Sequence, residues 1–298
     1  MKKYLPAAII LLMLFFRSAS SQSVTLDVMG GYCFSIAPST EATVKNVSQI
    51  AVYPYYATTY AQVKRMSYGK GGNLSFNFNW YSKKNIGFGF KGNILFGSSF
   101  KYSNYVTTIS AGKETFDYTD NSFSVQLIPH LCFRHDYKVV GPVLEAGMII
   151  GMAQIEHHYT ATSSVYSGTI KSTVREHGNA LLGFYSSVGL SFNVSKVVKI
   201  NLAVNCVAGS YSPSKWKRTS FTLDGKDQMM ALNTSQKQGE YVKELDFTAS
   251  QGTDVPSLDL KYSAAFSNVG VTTGVCFIIT KKQRKVTKNN EPNVVHPF

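Results

Sequence analysis

The chain has 298 residues, of which 16% are charged and 13% aromatic, and its formal net charge at pH 7 is +13. This aromatic-rich, charge-poor composition is unusual for a water-soluble domain. The positive charge comes with no nucleic-acid-binding motif, and the amino terminus predicts secretion, so we expect an anionic membrane surface rather than nucleic acid as the partner. No linker rich in glycine or proline divides the chain, which predicts one domain.

The amino terminus has the parts of a secretory signal peptide. Lys2 and Lys3 form a basic region, an apolar run covers residues 5–16, and small side chains occupy residues 19–21. The apolar run is too short to span a membrane as a helix. We therefore interpret residues 1–21 as a cleaved signal peptide.

The next elements in chain order are strands, which alternation of apolar and polar side chains at period 2 predicts. The alternation is clearest in residues 72–97, where one face is aromatic and aliphatic and the other is small and polar, mainly Gly, Ser and Asn. The predicted strands are residues 24–36, 72–81, 86–97, 122–134, 143–153, 180–193, 199–210 and 262–280. Their connections are alternately long and short, which is typical of an up-and-down transmembrane β-barrel.

The nature of the two faces indicates which one meets lipid. A soluble barrel would carry Lys and Glu outside, whereas here the non-apolar face is suited to a narrow, filled lumen. No apolar stretch after the signal peptide is long enough for a membrane helix, and a closed barrel is the other structure that satisfies all backbone groups in lipid. We predict an all-β, single antiparallel barrel over residues 22–280, with eight strands or alternatively ten, followed by a polar basic tail at 281–298.

Three segments give the chain a resemblance to a known family. They are the sequence MGGY at residues 29–32, the run NIGFGF at 85–90, and the closing strand at 266–277. With these, the chain resembles the small outer-membrane β-barrels of the OmpA/OmpX-like type, including the generic outer membrane protein β-barrel domain. The resemblance implies localisation in the cell outer membrane of a Gram-negative envelope, with long extracellular loops and periplasmic termini, and implies little about activity.

Five ionisable residues fall on the predicted lumen face: Asp27, Lys91, His130, Arg134 and Glu145. The interior of an eight-stranded barrel is just wide enough to be filled by side chains, so these charges should be paired. Arg134 and Glu145 flank one short turn, and we expect them to be cross-strand partners in a network that plugs the barrel. The functional alternative is a charged gate for ions.

A catalytic interpretation is open for part of the same group. His130, Cys132 and Glu145 loosely resemble the His-x-Ser and later Glu of outer-membrane lipid A deacylases, in which His activates a nucleophile. The nucleophile would be Cys rather than Ser, all three would point inward, and His130 would lie near the periplasmic end. We therefore expect no enzyme activity and no catalytic residues.

The remaining cysteines and histidines indicate neither a metal site nor a cofactor. Cys33, Cys132, Cys206 and Cys276 lie far apart in predicted strands, so we expect buried thiols, although an oxidising compartment would permit disulfides. His157 follows Glu156 and precedes another His, and a second Glu-His pair comes at 176–177. Adjacent strand residues point to opposite faces, so we expect a solvated hairpin there rather than a metal centre.

Two predicted loops combine aromatic rings with cations. The candidate contacts for lipopolysaccharide phosphates are Lys64, Arg65, Lys215, Trp216, Lys217 and Arg218. The alternative is an aromatic girdle at the membrane interface. We expect a monomeric, non-enzymatic barrel whose loops bind a surface ligand or envelope protein or stabilise the envelope. A lipid-modifying hydrolase and a narrow channel or transport accessory are the alternatives.

Overall fold

The computed structural model of the chain describes residues 23–36, 49–52, 55–60, 67–82, 85–108, 112–163, 168–245 and 252–279. The predicted signal peptide and basic tail lie outside the described residues, as do Lys64 and Arg65. Within this part of the chain, no helix is long and apolar enough to cross a membrane.

The described residues are almost entirely β-structure. The strands are β1 (Ser23–Ser35), β2 (Gln49–Val52), β3 (Tyr55–Tyr60), β4 (Gly71–Tyr81), β5 (Ile86–Gly97), β6 (Phe100–Thr108), β7 (Gly112–Arg134), β8 (Val140–Ser163), β9 (Gly168–His177), β10 (Ala180–Asn193), β11 (Val198–Tyr211), β12 (Lys215–Leu223), β13 (Lys226–Asp227), β14 (Gln238–Val242), β15 (Ser257–Leu260), β16 (Ala264–Ala265) and β17 (Asn268–Ile279). A 3-10 helix (Met229–Ala231) and the short helix α1 (Thr234–Lys237) lie between β13 and β14.

Eight of these strands close into an antiparallel barrel in the order β1, β4, β5, β7, β8, β10, β11 and β17. Closure is made by β1, which pairs with β4 on one side and β17 on the other, so that Asp27 lies opposite both Asn77 and Cys276. The predicted fold class and the count of eight strands are confirmed. The last strand is shorter than predicted, because Ala264 and Ala265 pair with β11 and Phe266 turns into the interior, where it is fully buried.

The outer surface of the barrel is apolar, and its inner surface is largely polar. Large outward side chains are widely exposed: Leu131 is 64% exposed, Phe184 67% and Met152 70%. The residues between them are buried, and Asn77 and Asn79 are 0% exposed. Period-2 alternation in each strand produces this inverted arrangement, which is the surface that a transmembrane β-barrel presents to lipid.

The two ends of the barrel differ. At the turn end, β4 connects to β5, β7 to β8 and β10 to β11 by short turns, and β1 begins and β17 ends there. At the opposite end, which we call the loop end, β7 and β8 continue past the barrel and build a sheet with strand order β2-β3-β6-β7-β8-β9-β12-β14-β15. All its pairs are antiparallel except β14 with β15.

This loop-end sheet was not expected from the sequence, which predicted long loops. A tight hairpin joins β12 to β13 through Asp224 and Gly225, which have φ angles of 50° and 77°. An Asp-Gly pair with positive φ at both positions is typical of a two-residue hairpin turn. The loop regions therefore carry their own strand and turn signals, and they place side chains above the mouth of the barrel.

Candidate functional site

The five ionisable residues predicted for the lumen are all buried in the barrel interior. Their central contact is an ion pair between Lys91 on β5 and Glu145 on β8, with Nζ 3.3 Å from Oε2. Tyr185 Oη donates to the same carboxylate at 2.9 Å, and Asn77 Nδ2 donates to Oε1 at 2.6 Å. Lys91 also hydrogen-bonds to Tyr185. Side chains from three other strands thus converge on the carboxylate of Glu145, as a desolvated charge requires.

The expected pairing of Arg134 with Glu145 is wrong. The register places Val143 opposite Arg134, nearer the turn end than Glu145. The Arg134 guanidinium donates to Ser191 Oγ at 2.8 Å and to Asn201 Oδ1 at 3.2 Å, on strands across the lumen. Alternation correctly assigned both residues to the interior, but it gives no information about their relative height along the barrel axis, and Lys91 is the cation at the height of Glu145.

The residues of the hydrolase interpretation are buried and engaged in other contacts. His130 Nε2 lies 2.8 Å from Asn79 Oδ1, and its Nδ1 lies 3.0 Å from the carbonyl oxygen of Ile128. Both ring nitrogens therefore have partners other than Cys132. Glu145 Oε1 is 4.0 Å from His130 Nε2 and is already held by Asn77. This arrangement is that of an internal polar network.

Asp27 belongs to the same internal network, since it accepts a hydrogen bond from Asn79 Nδ2 at 3.3 Å. All four cysteines are free. Three of them are buried in the interior, and Cys206 is exposed on the outward face. The alternative of disulfide pairing is thus not realised in this structure.

An apolar cluster fills the interior on the loop-end side of the polar network, and we call it the loop-end plug. It includes Tyr68, Leu95, Ile128, Ile149, Leu181, Val207, Tyr211 and Phe266. Its rings come partly from two segments that fold into the mouth: Tyr68 and Phe266 lie 5.9 Å apart between centroids, and Ser67 Oγ donates to the carbonyl of Ser267 at 2.6 Å. Protein interiors packed in this way contain few voids larger than a water molecule.

A charged triad lies above the loop-end plug. His157 on β8 contacts Asp120 on β7 through Nδ1 at 2.8 Å and Glu176 on β9 through Nε2 at 3.4 Å. Hydrogen bonds and charge attraction from these carboxylates outweigh burial and raise the pKa of His157 to about 10, while the same contacts lower the pKa of Glu176. Tyr241 and Tyr262 also donate to Glu176. The imidazole is therefore a cation at neutral pH.

The triad does not form a metal centre. Its two carboxylates sit on opposite sides of the ring and use both nitrogens, so the potential ligands do not converge on one point. Among the residues that the structure describes, no cluster of His, Cys, Asp and Glu has the arrangement of a metal site. The second histidine of the sequence motif, His158, instead has its Nδ1 3.1 Å from Thr173 Oγ1.

Next to the triad, the lumen-side face of the loop-end sheet carries a depression that we call the loop-end cleft. One part, of about 390 Å³, is lined by Tyr118, His157, Tyr159, Ser172, Val174, Arg218 and Phe221. A second part, of about 300 Å³, is lined by Val174, Trp216, Arg218, Tyr241 and Asp259. Val174 and Arg218 border both parts, so the cleft is elongated across β8, β9, β12 and β14.

The predicted basic cluster on β12 is divided between two faces. Trp216 and Arg218 face the cleft and are half-buried, whereas Lys215 and Lys217 are exposed on the opposite face. Trp216 Nε1 donates to Asp259 Oδ2 at 2.5 Å, and Lys215 pairs with Glu240 at 2.9 Å. The four residues therefore do not act as one cationic patch.

A register shift between Arg218 and Ser220 determines what else enters the cleft. Arg218 lies opposite Val174, and after the shift Phe221 lies opposite Ser172. An extra residue in one strand places residues three apart on the same face, which strict alternation does not allow. Sequence reasoning missed Phe221, Ser172 and the triad partner Asp120, because their proximity depends on this pairing rather than on local spacing.

Comparisons with known proteins give only a distant similarity. No family model and no curated protein matches the chain. Among solved structures, the chain is similar to the outer membrane protein OprG from Pseudomonas aeruginosa, with a TM-score of 0.39 and 10% sequence identity over 88% of this chain and 98% of that chain. The fold assignment rests on the strand pairing and outward apolar surface of the chain itself.

Proposed function

We propose that the chain is a sealed outer-membrane β-barrel that acts by binding at its loop end, without conducting solutes and without catalysis. The outward apolar surface supports the membrane placement. The loop-end sheet supports a binding role, because it extends beyond the barrel and carries an elongated cleft with half-buried aromatic and polar side chains. Rigid barrels commonly position binding groups in this way.

The observation that carries the proposal is the loop-end plug. Tyr211 and Phe266 are 0% exposed, and Leu95 and Ile128 are 1% exposed, directly on the loop-end side of the Lys91–Glu145 pair. A transport path would have to displace these rings and then break a network in which the carboxylate has three donors. The cleft above the plug is the part of the interior face that remains accessible.

In this proposal the loop end faces the cell exterior and both ends of the barrel chain face the periplasm. Outer-membrane barrels have long connections outside and short turns inside. Lys215 and Lys217, exposed on the far face of β12, are then the candidates for contact with lipopolysaccharide phosphates, since a flexible ammonium acts as a point charge toward phosphate. The barrel works as a monomer in outer-membrane lipid.

Single-channel recording in planar bilayers tests the proposal. The full chain, refolded into lipid, should give no stepwise conductance. A variant with Tyr211→Ala and Phe266→Ala, shown to be folded by its gel mobility before and after boiling, provides the control for a loosened plug. Sustained conductance steps from the unaltered chain would contradict a sealed barrel, and hydrolysis of a fluorescent lipid ester by that chain would contradict a non-catalytic role.

A further inference from the structure

We infer that the loop-end cleft binds a carbohydrate that carries a carboxylate, with Arg218 as the partner of that carboxylate and aromatic side chains as the platform for the sugar rings. The inference rests on the proposed function in one respect, since it requires the loop end to be open to the outside. Three features of the cleft carry it: an arginine without an acidic partner, a buried hydroxyl without a hydrogen bond, and an aromatic lining.

Arg218 borders both parts of the cleft, and its guanidinium has no acidic partner among the described residues. None of the ion pairs among the described residues includes it, and its Nε is buried without a hydrogen-bond partner. Its guanidinium carbon lies 5.2 Å from the Phe221 ring centroid, so the ring positions the group from one side. A positioned guanidinium offers paired N–H donors that match the two oxygens of a carboxylate.

Ser172 is the second feature. It is 6% exposed and lines the larger part of the cleft, and its Oγ has no hydrogen-bond partner within the part of the chain that the structure describes. A buried hydroxyl left without a partner costs about 1–3 kcal/mol. The register places Ser172 directly opposite Phe221, so the Ser172 hydroxyl and Arg218 line the same part of the cleft. A ligand that brings both a carboxylate and hydroxyl groups would satisfy both.

The lining of the cleft is suited to sugar rings. Tyr118 and Tyr159 form one wall, with ring centroids 5.3 Å apart, and Phe221 lies on the β12 side. Trp216 extends the aromatic surface into the second part of the cleft, where Asp259 holds the indole N–H. Aromatic side chains provide an apolar face with polar edges. A pyranose likewise has apolar C–H faces and polar edges. It can therefore stack on the aromatic rings while its hydroxyl groups form hydrogen bonds.

The charge balance favours a single negative charge on the ligand. Asp120 and Glu176 are already neutralised in part by His157, and Glu176 and Asp259 accept hydrogen bonds from tyrosine and tryptophan side chains. Arg218 is thus one unpaired cation beside three acidic residues. A monoanionic uronic acid fits this arrangement, whereas a dianionic phosphate would be repelled more strongly by these three carboxylates.

The test uses the full chain with Trp80→Phe, folded in detergent micelles, so that Trp216 reports binding by fluorescence. The probes are a galactose trisaccharide whose terminal residue is galacturonate, the neutral galactose trisaccharide, galactose 1-phosphate and phenylalanine. The monoanionic trisaccharide should bind saturably and at least ten-fold more tightly than the other three. Arg218→Gln should abolish this preference, and Arg218→Lys should recover only part of it.

Ser172→Ala should weaken binding of the monoanionic trisaccharide several-fold. Lys171→Gln, which changes a neighbouring exposed cation on the opposite face of β9, should leave binding unchanged. Equal binding of the neutral trisaccharide, tighter binding of the sugar phosphate or phenylalanine, or equal effects of Arg218→Gln and Lys171→Gln would overturn the inference. So would the absence of saturable binding by a chain whose gel mobility shows that it is folded. Planar-bilayer recordings on the same preparation distinguish this failure from that of the proposed function, which is contradicted by conductance and not by lack of uronate binding.

Discussion

Exchange of Lys91 for methionine should destabilise the barrel by about 3–5 kcal/mol, because it leaves the Glu145 carboxylate buried without its cation. The structure sets the scale: at the 3.3 Å separation of Nζ and Oε2, an effective dielectric constant of about 20 gives an attraction of about 5 kcal/mol. Glu145→Gln should cost a similar amount, since it leaves the Lys91 ammonium unpaired. The double variant should cost less than the sum by at least about 1 kcal/mol.

Equilibrium unfolding in urea of the chain refolded into lipid, followed by tryptophan fluorescence, measures these free energies. Arg134→Met combined with Glu145→Gln is the matched control, because it changes the same carboxylate and a cation that shares no hydrogen-bond partner with it among the described residues. That pair should be additive within about 0.5 kcal/mol. Additivity for Lys91 and Glu145, or coupling as large for Arg134, would refute the assignment of the ion pair.

Three further exchanges test other parts of the structure. Phe90→Lys, on the outward face near the middle of β5, should destabilise the barrel in lipid by about 2–4 kcal/mol, and an unchanged unfolding curve would mean that this face does not meet lipid. Gly239→Ala should displace the Trp216 indole, since an added Cβ would lie 2.3 Å from its Nε1; a red shift of Trp216 emission in the Trp80→Phe background is the readout, and identical spectra would place the indole elsewhere. For His157, the folded pKa of about 10 exceeds the ordinary value of 6.5, so its stabilisation is complete below about 6.5 and is lost as the pH rises toward 10. Amide-exchange protection of β8 and β9 should fall over that pH range in the unaltered chain and not in His157→Gln. Equal pH profiles for the two proteins would contradict the role of His157 as a charged bridge between Asp120 and Glu176.

The barrel was predictable because each of its strands separates lipid from lumen. That separation forces apolar and small polar residues to alternate, as Phe76, Asn77 and Phe78 do, and the alternation is visible without a structure. The loop-end sheet does not separate lipid from lumen, so its strands need not alternate apolar and polar residues in this way. Strand β9, for example, reads GTIKSTVREH, with polar residues on both faces, so its sequence does not differ clearly from that of a solvated loop.

The candidate site was less predictable for a related reason. Alternation assigns Arg134 and Glu145 to one face but leaves their heights along the barrel axis open. Only the pairing of β5 with β7 and of β7 with β8 brings Lys91 to the carboxylate. The cleft depends further on the irregular register of β12, which moves Phe221 to the side of Arg218. Contacts between residues distant in the chain follow from register, and register is not encoded in the spacing of a single strand.

The placement of the barrel in lipid can be measured by the fluorescence of the only two tryptophans of the sequence. One lies on the outward face of the barrel and the other in the loop-end cleft. Trp80 points outward near the turn end of β4, and Trp216 faces the loop-end cleft. In vesicles with brominated lipids, Trp216→Phe, which retains Trp80, should be strongly quenched. Trp80→Phe, which retains Trp216, should be quenched by aqueous iodide and not by bromine at any depth. Quenching of Trp216 by brominated lipids, or none of Trp80, would contradict a membrane-embedded barrel with its cleft held in water.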